Sequence, residues 1–429
     1  MRISVIGAGY VGLTAACCLA NSGHQVTCIE NDEAKLHLLQ QGLSPIKEQG
    51  IDKLLKDGTV SGNLKFASTL VEPIQADIVI VAVGTPSLPN GSADLSYIHQ
   101  AVAQVKNAAK RPFILVMKST VPPGTGIKLI ERYLYDTSIT YVSNPEFLRE
   151  GQAIWDWHHP SRIVIGANDS GKAEKVLELY GNADAPVLVT DITSAEMVKY
   201  AANAFLVTKI SFINEIANLC EAIGAHIDDV AEGMGFDPRI GHDFLRAGFG
   251  YGGSCFPKDA RALDFSALSN GYDLRLLKAT IEVNTKQRIA AVQKLKHFLG
   301  SLTGKEVALL GLSFKPGTDD LREAPALDIA QLLGEEGAKL RVYDPMVGEG
   351  ARPFLPADTL FANDVYSAAD GANAVVLVTD WPEIVQADWA TIKQAMKEPC
   401  LVLDGRNALN SNSLTALGFK YVGVGRRTS

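Results

Sequence analysis

The 429-residue sequence lacks the features that mark membrane, secreted and nucleic-acid-binding proteins. Its longest apolar runs are strand-sized, such as Ile78–Val83, and fall well short of the ~18 residues that span a bilayer. The opening run Met1–Ile6 is typical of a strand and has no signal-peptide pattern. A formal net charge of −8 argues against general binding to nucleic acid or anionic membranes. We therefore expect a cytoplasmic protein that binds neither.

Cysteine is scarce, and its spacing does not indicate a metal site. The six cysteines include no CxxC pair, so neither a zinc site nor a disulfide framework is indicated, and we expect no bound metal. Five of the six are interpreted as small structural side chains: Cys17, Cys18, Cys28, Cys220 and Cys400. The sixth, Cys255, has a different setting that is described below.

The first 190 residues alternate short apolar runs with amphipathic segments such as the predicted helix Leu95–Ala109. The strands predicted in this part are Ile3–Ile6, Val26–Ile29, Ile78–Val83, Phe113–Met117, Thr140–Val142, Arg162–Ile165 and Val187–Val189. Buried strands that alternate with helices are typical of a parallel, doubly wound sheet. We therefore predict an α/β domain of this kind.

The middle of the chain changes to helix, and the α/β alternation restarts near Gly304. Two long helices are predicted, Ser194–Ile223 and Leu274–Leu299, with a glycine-rich loop between them. The later strands are predicted at Val307–Leu310, Leu340–Tyr343, Val375–Thr379 and Leu401–Leu403. Because 429 residues exceed one ordinary core, we predict two Rossmann-like domains, 1–193 and 301–429, joined by a central helical domain, 194–300.

A dinucleotide-binding motif follows the first predicted strand. Gly7-Ala8-Gly9-Tyr10-Val11-Gly12 is a GxGxxG that opens a helix, where glycines allow a tight turn and a close approach of pyrophosphate. Glu30 ends the second strand, where a carboxylate can bind both ribose hydroxyls and would repel a 2′-phosphate. The pattern predicts NAD rather than NADP; the alternative is a glycine turn beside an exposed glutamate.

Cys255 lies in a setting that favours a reactive thiol. It stands in Gly252-Gly253-Ser254-Cys255-Phe256-Pro257-Lys258-Asp259, between glycines and a proline suited to the first turn of a helix. A thiol at a helix N-terminus near Lys258 should have its pKa lowered from about 8.5, which favours the nucleophilic thiolate. Asp259, four residues on, would share a helical face with it. The alternative is a buried structural cysteine.

Two polar residues interrupt the apolar helix that begins near Ser194. Lys199 and Asn203 are four residues apart and so share one face of that helix. A buried ammonium needs compensating partners, so its surroundings must solvate it or use it; the alternative is a surface stripe. Two more polar clusters, Lys118-Ser119-Thr120 and Asn144–Glu150, follow predicted strands, where doubly wound sheets bind ligands.

Together these motifs resemble the UDP-glucose/GDP-mannose dehydrogenase family over nearly the whole chain. The runs GGSCFPKD and NPEFLRE are the most specific. The matching segments are Gly7–Gly12, Gly84-Thr85-Pro86, Lys118-Ser119-Thr120, Asn144–Glu150, Lys199–Asn203, Gly250–Asp259, Phe314-Lys315 and Asp404-Gly405-Arg406. The resemblance implies an NAD-dependent enzyme that oxidises the 6-hydroxymethyl group of a nucleotide sugar, expected to be UDP-glucose, in two hydride transfers.

The resemblance also implies a division of catalytic roles. Lys199 and Asn203, with Thr120 and a water molecule, would handle the proton and oxyanion as alcohol becomes aldehyde. Cys255 would then attack the aldehyde and carry a thioester, and Asp259 and Glu146 would position or activate the water that hydrolyses it. A covalently held aldehyde does not escape, and an oxyanion beside an ammonium is stabilised where water is scarce.

Binding residues are implied in the same way. Those for NAD are Gly7, Gly9, Tyr10, Val11, Gly12, Glu30, Lys35, Thr85, Thr120, Glu150, Lys258 and Arg322. Those for the nucleotide sugar are Glu146, Phe147, Leu148, Arg149, Glu150, Lys199, Asn203, Arg239, Phe244, Leu245, Arg246, Ala247, Gly248, Gly252, Lys315 and Arg406. Arg239 resembles an arginine that family members lend to a neighbouring subunit, which implies a homodimer or higher homo-oligomer built on the long helices.

Three other interpretations remain open at this point. GDP-mannose and UDP-N-acetylmannosamine dehydrogenases share the catalytic plan, although three segments look more like the UDP-glucose branch: Lys199–Phe205, Phe256 and Gly418–Arg426. A 3-hydroxyacid or 6-phosphogluconate-type dehydrogenase would also carry Lys-x-x-x-Asn, but it stops at one oxidation and needs no thiol. A catalytically silent NAD-sensing or scaffold protein would share the fold without the chemistry.

Overall fold

The computed structural model describes residues 1–70, 74–181 and 183–426. Its contacts divide the chain into two compact units. The first unit contains Met1–Ala202 and Arg261–Tyr272, and the second contains Asn203–Ala260 and Asp273–Ser429. The predicted boundaries of three domains stay a prediction. In the part of the chain that is described, no helix is both long and apolar enough to cross a membrane.

The first unit is built on a sheet that has eight strands within its described residues, in the order β3-β2-β1-β4-β5-β6-β7-β8. The strands are β1 Arg2–Ile6, β2 Gln25–Ile29, β3 Leu64–Ala67, β4 Ile78–Val81, β5 Phe113–Met117, β6 Ile139–Ser143, β7 Ile163–Gly166 and β8 Val187–Thr190. The helices are α1 Tyr10–Asn21, α2 Glu33–Gln40, α3 Ile51–Val60, α4 Ser96–Ala108, α5 Thr125–Leu129, α6 Ala153–His158 and α7 Ser170–Leu177. The central strands β4 and β5 are buried throughout, as expected for a sheet covered on both faces.

The second unit carries the rest of the helices and a fully parallel sheet, whose strands in the described chain have the order β11-β10-β9-β12-β13-β14. The helices are α8 Ile192–Ile223, which begins in the first unit, α9 Ile227–Gly235, α10 Phe256–Ser269, which ends in the first unit, α11 Arg275–Leu299, α12 Pro325–Glu335, α13 Val365–Ala369, α14 Pro382–Val385, α15 Trp389–Ala395 and α16 Ser411–Ala416. The strands are β9 Glu306–Leu310, β10 Lys339–Tyr343, β11 Leu360–Phe361, β12 Ala374–Leu377, β13 Leu401–Asp404 and β14 Lys420–Gly423. Side chains of α8 and α11, such as Ile213 and Leu295, share one core with this sheet.

The predicted fold class, two Rossmann-like α/β sheets with a helical middle, is confirmed. Three strands were not predicted: β3, β11 and β14 are short or mix polar with apolar residues. The first sheet is also not wholly parallel, because β6 and β7 pair antiparallel at Ser143 and Gly166. The chain therefore reverses direction between β6 and β7, which apolar periodicity does not reveal.

Two predicted strands, Ile78–Val83 and Val375–Thr379, end two residues earlier in the structure. In both sheets a glycine follows the first strand and lies against the backbone that leaves the neighbouring strand. A Cβ on Gly7 would lie 2.6 Å from the Ala82 carbonyl oxygen, and a Cβ on Gly311 would lie 2.5 Å from Thr379 Cβ. The last two residues of each prediction therefore support a turn instead of extending the sheet.

The topology brings several predicted residues of the first unit to one edge of its sheet. Strands β1, β4, β5 and β6 are neighbours and run parallel. Their carboxyl ends lead directly into Gly7, Thr85, Thr120 and Glu146, respectively. Ligands of doubly wound sheets bind at this edge because the turns there leave backbone donors and side chains exposed.

Candidate active site

The glycine turn after β1 has the tight backbone that a dinucleotide requires. Gly7 has φ +100°, and a Cβ on Gly12 would lie 1.9 Å from the Gly7 carbonyl oxygen, so neither position tolerates a side chain. A Cβ on Gly9 would meet no atom within 4 Å. This open position at the N-terminus of α1 fits the close approach of a pyrophosphate to backbone N–H groups.

Glu30 connects that turn to the end of β2. One carboxylate oxygen accepts the Ala8 N–H at 3.1 Å, and the other accepts the Asp32 N–H at 2.9 Å. Glu30 is buried, so its negative charge is held in place beside the glycine turn. A fixed carboxylate there fits a ribose with free hydroxyls and disfavours a 2′-phosphate. The turn and Glu30 together therefore fit NAD.

Within the Lys118-Ser119-Thr120 cluster, Lys118 and Thr120 have different surroundings. The buried Lys118 ammonium donates to the Tyr180 hydroxyl at 2.8 Å and to Asn144 Oδ1 at 3.1 Å. These contacts join the ends of neighbouring segments, which indicates a structural role for the cation. Thr120 instead has its carbonyl held by the Thr85 hydroxyl at 3.0 Å. Sequence reasoning did not identify Tyr180, because nothing in its own segment indicates this contact.

Lys199 and Glu146 form a buried ion pair in the first unit. Lys199 Nζ donates to Glu146 Oε1 at 3.0 Å, and the two side chains are each 6% exposed. Phe147 lies beside them, with its ring centroid 5.4 Å from Lys199 Nζ and 3.7 Å from the Arg162 guanidinium. Lys199 is therefore not on an exposed polar stripe. Arg162, which the sequence did not single out, adds a second cation to this cluster.

The second unit holds Asp259 between an amide and an ammonium. Asn203 Nδ2 donates to Asp259 Oδ2 at 2.7 Å, and Lys258 Nζ donates to Asp259 Oδ1 at 2.6 Å. Asp259 is 2% exposed, so these two donors compensate a carboxylate that has little contact with water. Lys258, predicted to bind NAD, is thus also a partner of Asp259.

Cys255 stands immediately before α10, and its carbonyl accepts the first helical N–H, from Asp259, at 2.8 Å. All six cysteines lie in the described chain outside any disulfide, and only Cys255 is exposed. Burial raises the pKa of Cys18 and of Cys28 to about 12, which makes those thiols unreactive at neutral pH. The prediction of an accessible thiol one turn from Asp259 therefore agrees with the structure.

Four residues predicted to bind the sugar line one cleft of the second unit. The cleft has a volume of about 300 Å³, and its predicted residues are Leu245, Arg246, Ala247 and Arg406. Asp380 organises its two cations: it accepts Arg406 Nε at 3.0 Å and lies 3.9 Å from Arg246 Nη1. Two arginines in a cleft are suited to phosphate oxygens. The sequence did not identify Asp380, which lies 134 and 26 residues from its partners along the chain.

Several other predicted cations are paired within their own segments. Arg149 contacts Asp156, Arg239 contacts Asp237 and Arg322 contacts Asp320, with the shortest distance in each pair between 2.6 and 2.7 Å. Arg239 is the most exposed, with 87% of its side chain accessible, and Lys35 is also exposed. Among the remaining predicted residues, Phe244 is exposed, Gly248 and Gly252 are buried, and five are half-buried: Tyr10, Val11, Leu148, Glu150 and Lys315. Within the described residues, no group of three or more His, Cys, Asp or Glu side chains could hold a metal ion.

Glu196 is a buried carboxylate that the sequence did not single out. It lies on α8 one turn before Lys199 and accepts the N–H groups of Gly124 at 2.7 Å and Gly126 at 2.8 Å. These N–H groups belong to the start of α5, just after Thr120. Burial raises the pKa of Glu196 to about 7, in spite of the hydrogen bonds from Gly126 and Gly124 that lower it.

Glu196 is therefore expected to make stability depend on pH. An unfolded glutamate has its pKa near 4.5, so the folded chain binds the Glu196 proton more tightly, and unfolding becomes easier as pH rises from about 4.5 to 7. The loss over this window should be about 3 kcal/mol. Urea denaturation of the parent and of Glu196→Gln at several pH values measures it. Glu196→Gln should flatten the dependence and the exposed Glu215→Gln should not; equal slopes in all three proteins would contradict the assignment.

Most of the chain matches three successive domains of one enzyme family. Residues 1–184 match the NAD binding domain of the UDP-glucose/GDP-mannose dehydrogenase family, residues 193–286 its central domain and residues 308–411 its UDP binding domain. The chain is 47% identical to UDP-glucose 6-dehydrogenase YwqF of Bacillus subtilis, over 100% of this chain and 98% of that protein.

Solved structures agree with this match over the same length. A UDP-glucose dehydrogenase from Pyrobaculum islandicum is 38% identical, with TM-score 0.91 over 99% of this chain and 98% of that one. A UDP-D-ManNAc dehydrogenase from Pyrococcus horikoshii is 28% identical, with TM-score 0.89 over the full length of both chains. This chain therefore belongs to the UDP-glucose/GDP-mannose dehydrogenase family of NAD-dependent oxidoreductases.

Proposed function

We propose that this enzyme oxidises C6 of UDP-glucose from alcohol to carboxylate, to give UDP-glucuronate. The observation that carries the proposal is the exposed Cys255 thiol at the start of α10, one turn from the buried Asp259. A single oxidation to an aldehyde requires no thiol, whereas oxidation to an acid benefits from a covalent adduct that retains the aldehyde. NAD, when bound, would accept the hydride that leaves C6 in each of the two oxidations.

In the first oxidation, we assign charge stabilisation to Lys199 and Asn203. The O6 proton passes to a water molecule near Thr120 as C6 loses hydride, and negative charge develops on O6. The Lys199 ammonium is already fixed by Glu146 and has little contact with water, so it stabilises that charge without reorganising. The Asn203 amide donates a second hydrogen bond in this proposal.

In the second oxidation, we assign the nucleophile to Cys255. Its thiolate forms a C–S bond to the aldehyde carbon, and loss of a second hydride converts the thiohemiacetal to a thioester. Water then adds to the thioester, the C–S bond breaks, and the thiolate is restored. Asp259 and Glu146 position or activate that water. The sum is one alcohol, two NAD and one water giving one carboxylate, two NADH and three protons.

The proposal of UDP-glucose as the substrate is supported by the comparisons and by two arginines in the second unit. The chain matches a UDP binding domain, and the full-length relative at 47% identity is named a UDP-glucose 6-dehydrogenase. The cleft that holds Arg246 and Arg406 supplies cations for a diphosphate. GDP-mannose and UDP-N-acetylmannosamine are the alternative substrates, because the catalytic residues would serve all three sugars.

The yield of NADH tests both the reaction and the substrate. UDP-glucose, GDP-mannose and UDP-N-acetylmannosamine would each be offered as the limiting reagent, with NADH followed by absorbance and the sugar product by mass. We expect two NADH per UDP-glucose and a product 14 mass units heavier, with much slower turnover of the other two sugars. One NADH per sugar would indicate a simple alcohol dehydrogenase and would refute the proposal.

We also propose that the enzyme acts as a homodimer or higher homo-oligomer in the cytoplasm. Helix α8 exposes three large apolar side chains at seven-residue intervals, Phe205, Phe212 and Leu219, which are 66%, 45% and 52% accessible. This spacing keeps the three on one face of the helix, and exposed apolar stripes of this kind are typical of helix-to-helix interfaces. The exposed Arg239 would serve the sugar site of the neighbouring subunit. Sedimentation of the purified protein would distinguish a dimer from the 46.0 kDa monomer.

A further inference from the structure

The loop that leads to Cys255 is held at its start by amide side chains from two helices. Asn214 of α8 accepts the Gly248 N–H at 2.8 Å, and Gln287 of α11 donates to the Gly248 carbonyl at 3.0 Å. Gln287 is in turn held by Asn218, whose Nδ2 donates to Gln287 Oε1 at 2.8 Å. Gly248 therefore has both of its backbone groups bound by side chains from outside the loop.

Asn284 makes the corresponding contacts three residues further along the loop. Its Oδ1 accepts the Tyr251 N–H at 2.7 Å, and its Nδ2 donates to the Tyr251 carbonyl at 3.1 Å. The Asn284 amide thus binds both backbone groups of Tyr251, in the way that the backbone of a neighbouring β-strand would. The loop passes directly over it, because a Cβ on Gly250, at φ +98°, would lie 2.4 Å from Asn284 Oδ1. An amide presents a donor and an acceptor side by side, whereas an ionised carboxylate of the same size presents acceptors only.

The stretch from Tyr251 to Cys255 has little freedom to absorb a displacement. A Cβ on Gly252 would lie 2.2 Å from the Glu323 carbonyl oxygen, and Gly253 N–H donates to the Arg322 carbonyl at 2.9 Å. The Cys255 carbonyl is committed to the first turn of α10. A shift at Tyr251 is therefore passed on along a constrained chain to the thiol.

We propose that Asn284, with Asn214 and Gln287, is a positioning residue that sets the location of the Cys255 thiol for attack on the aldehyde. The three amides are buried, at 6%, 0% and 2% exposure, and each contacts backbone of the loop. None of them is part of the chemistry assigned above. This inference rests on the proposed function, because the position of the thiol matters only if Cys255 attacks the aldehyde.

The first measurement is alkylation of Cys255 by iodoacetamide, followed by site-resolved mass spectrometry. Cys255 is the exposed thiol and the other five are buried, so fast labelling reports one position. The variants are Asn284→Ala, which removes both contacts, and Asn284→Asp, which keeps the size and the acceptor. Thr285→Ala, at the adjacent exposed position of α11, is the control. We expect both Asn284 variants, but not the control, to shift the pH–rate profile of alkylation to higher pH, because the thiol leaves the helix N-terminus.

The second measurement asks whether Asn284 acts through the thiol. We expect Asn284→Ala to slow the second oxidation about 10- to 100-fold, a range typical of misplacing a reacting group by about 1 Å, with KM for NAD unchanged. When Asn284→Ala is combined with Cys255→Ser, the first oxidation should differ in rate from that of Cys255→Ser alone by less than about twofold. Asn284→Asp should show a smaller effect in the same direction, which separates positioning from a failure to fold.

The outcomes that would overturn the inference are distinct from those that would overturn the proposed function. Unchanged alkylation and unchanged rates in Asn284→Ala would show that the contacts do not position the thiol. Equal slowing of the first oxidation with and without the thiol would mean that Asn284 supports the fold or sugar binding instead. If Cys255→Ser alone forms carboxylate at the normal rate, the proposed thioester step is refuted, whatever the effect of Asn284→Ala.

Discussion

Cys255→Ser is expected to leave the first oxidation nearly intact and to slow formation of the carboxylate by at least about 10³-fold, a typical cost of removing a catalytic nucleophile. Serine has the size of cysteine, so binding of cofactor and sugar should persist. Its hydroxyl remains protonated at neutral pH and is a far weaker nucleophile than a thiolate. The measured quantities are the first and second NADH, resolved by rapid mixing, and the carboxylate product by mass.

The neighbouring residue supplies a matched control for this prediction. Ser254 lies next to Cys255, with Oγ 3.5 Å from Sγ, and Ser254→Ala removes a hydroxyl from the same loop while keeping the thiol. We expect Ser254→Ala to retain the second oxidation within about tenfold. Two NADH per sugar at the parental rate from Cys255→Ser would exclude a covalent role for this residue.

Lys199→Met is expected to slow the first oxidation by about 10²- to 10³-fold, the cost found when one preorganised group is removed from an oxyanion. It should also destabilise the protein, because Glu146 would keep a buried carboxylate without the ammonium that it now contacts at 3.0 Å. Breaking a buried pair in this way costs about 3–5 kcal/mol. The rate would be measured in a single turnover, and the free energy of unfolding by denaturant titration.

A double variant separates the two effects. In Lys199→Met/Glu146→Gln the unpaired charge is gone, so stability should largely return while the first oxidation stays slow. The exposed Lys56→Met, on α3, is a surface control that should change neither quantity. A double variant that regains both stability and a normal first oxidation would show that the ion pair is structural only.

Chemistry that depends on short segments of the chain was predictable from the sequence. The GxGxxG turn, the accessible thiol before α10, and the face shared by Lys199 and Asn203 each arise from residues within about one to two helical turns, where spacing sets geometry. The amides that hold the loop before Cys255 also have regular spacing. Asn214 and Asn218 continue the polar face of α8, and Asn284 and Gln287 share one face of α11.

The partners of the charged groups were much less predictable. Asp156 and Asp380 bind predicted cations, and Glu196 binds backbone, yet none of the three lies in a recognisable motif. Apolar periodicity reports which side of a helix or strand is buried, but it does not report what lies opposite a buried polar group. For the same reason the antiparallel pairing of β6 with β7 and the short strands β3, β11 and β14 were not predicted.

The sequence by itself determined the α/β alternation, the glycine turn for a dinucleotide and the thiol at the start of a helix, because each depends on local backbone freedom and on side-chain periodicity. Only the tertiary structure decided which charges neutralise each other and which side chains hold the loops. Lys199 meets Glu146 across 53 residues, Asn203 meets Asp259 across 56, and Asn284 meets Tyr251 across 33. Electrostatic and hydrogen-bonding energies depend on distances of a few ångströms, and packing of the sheets and helices sets those distances.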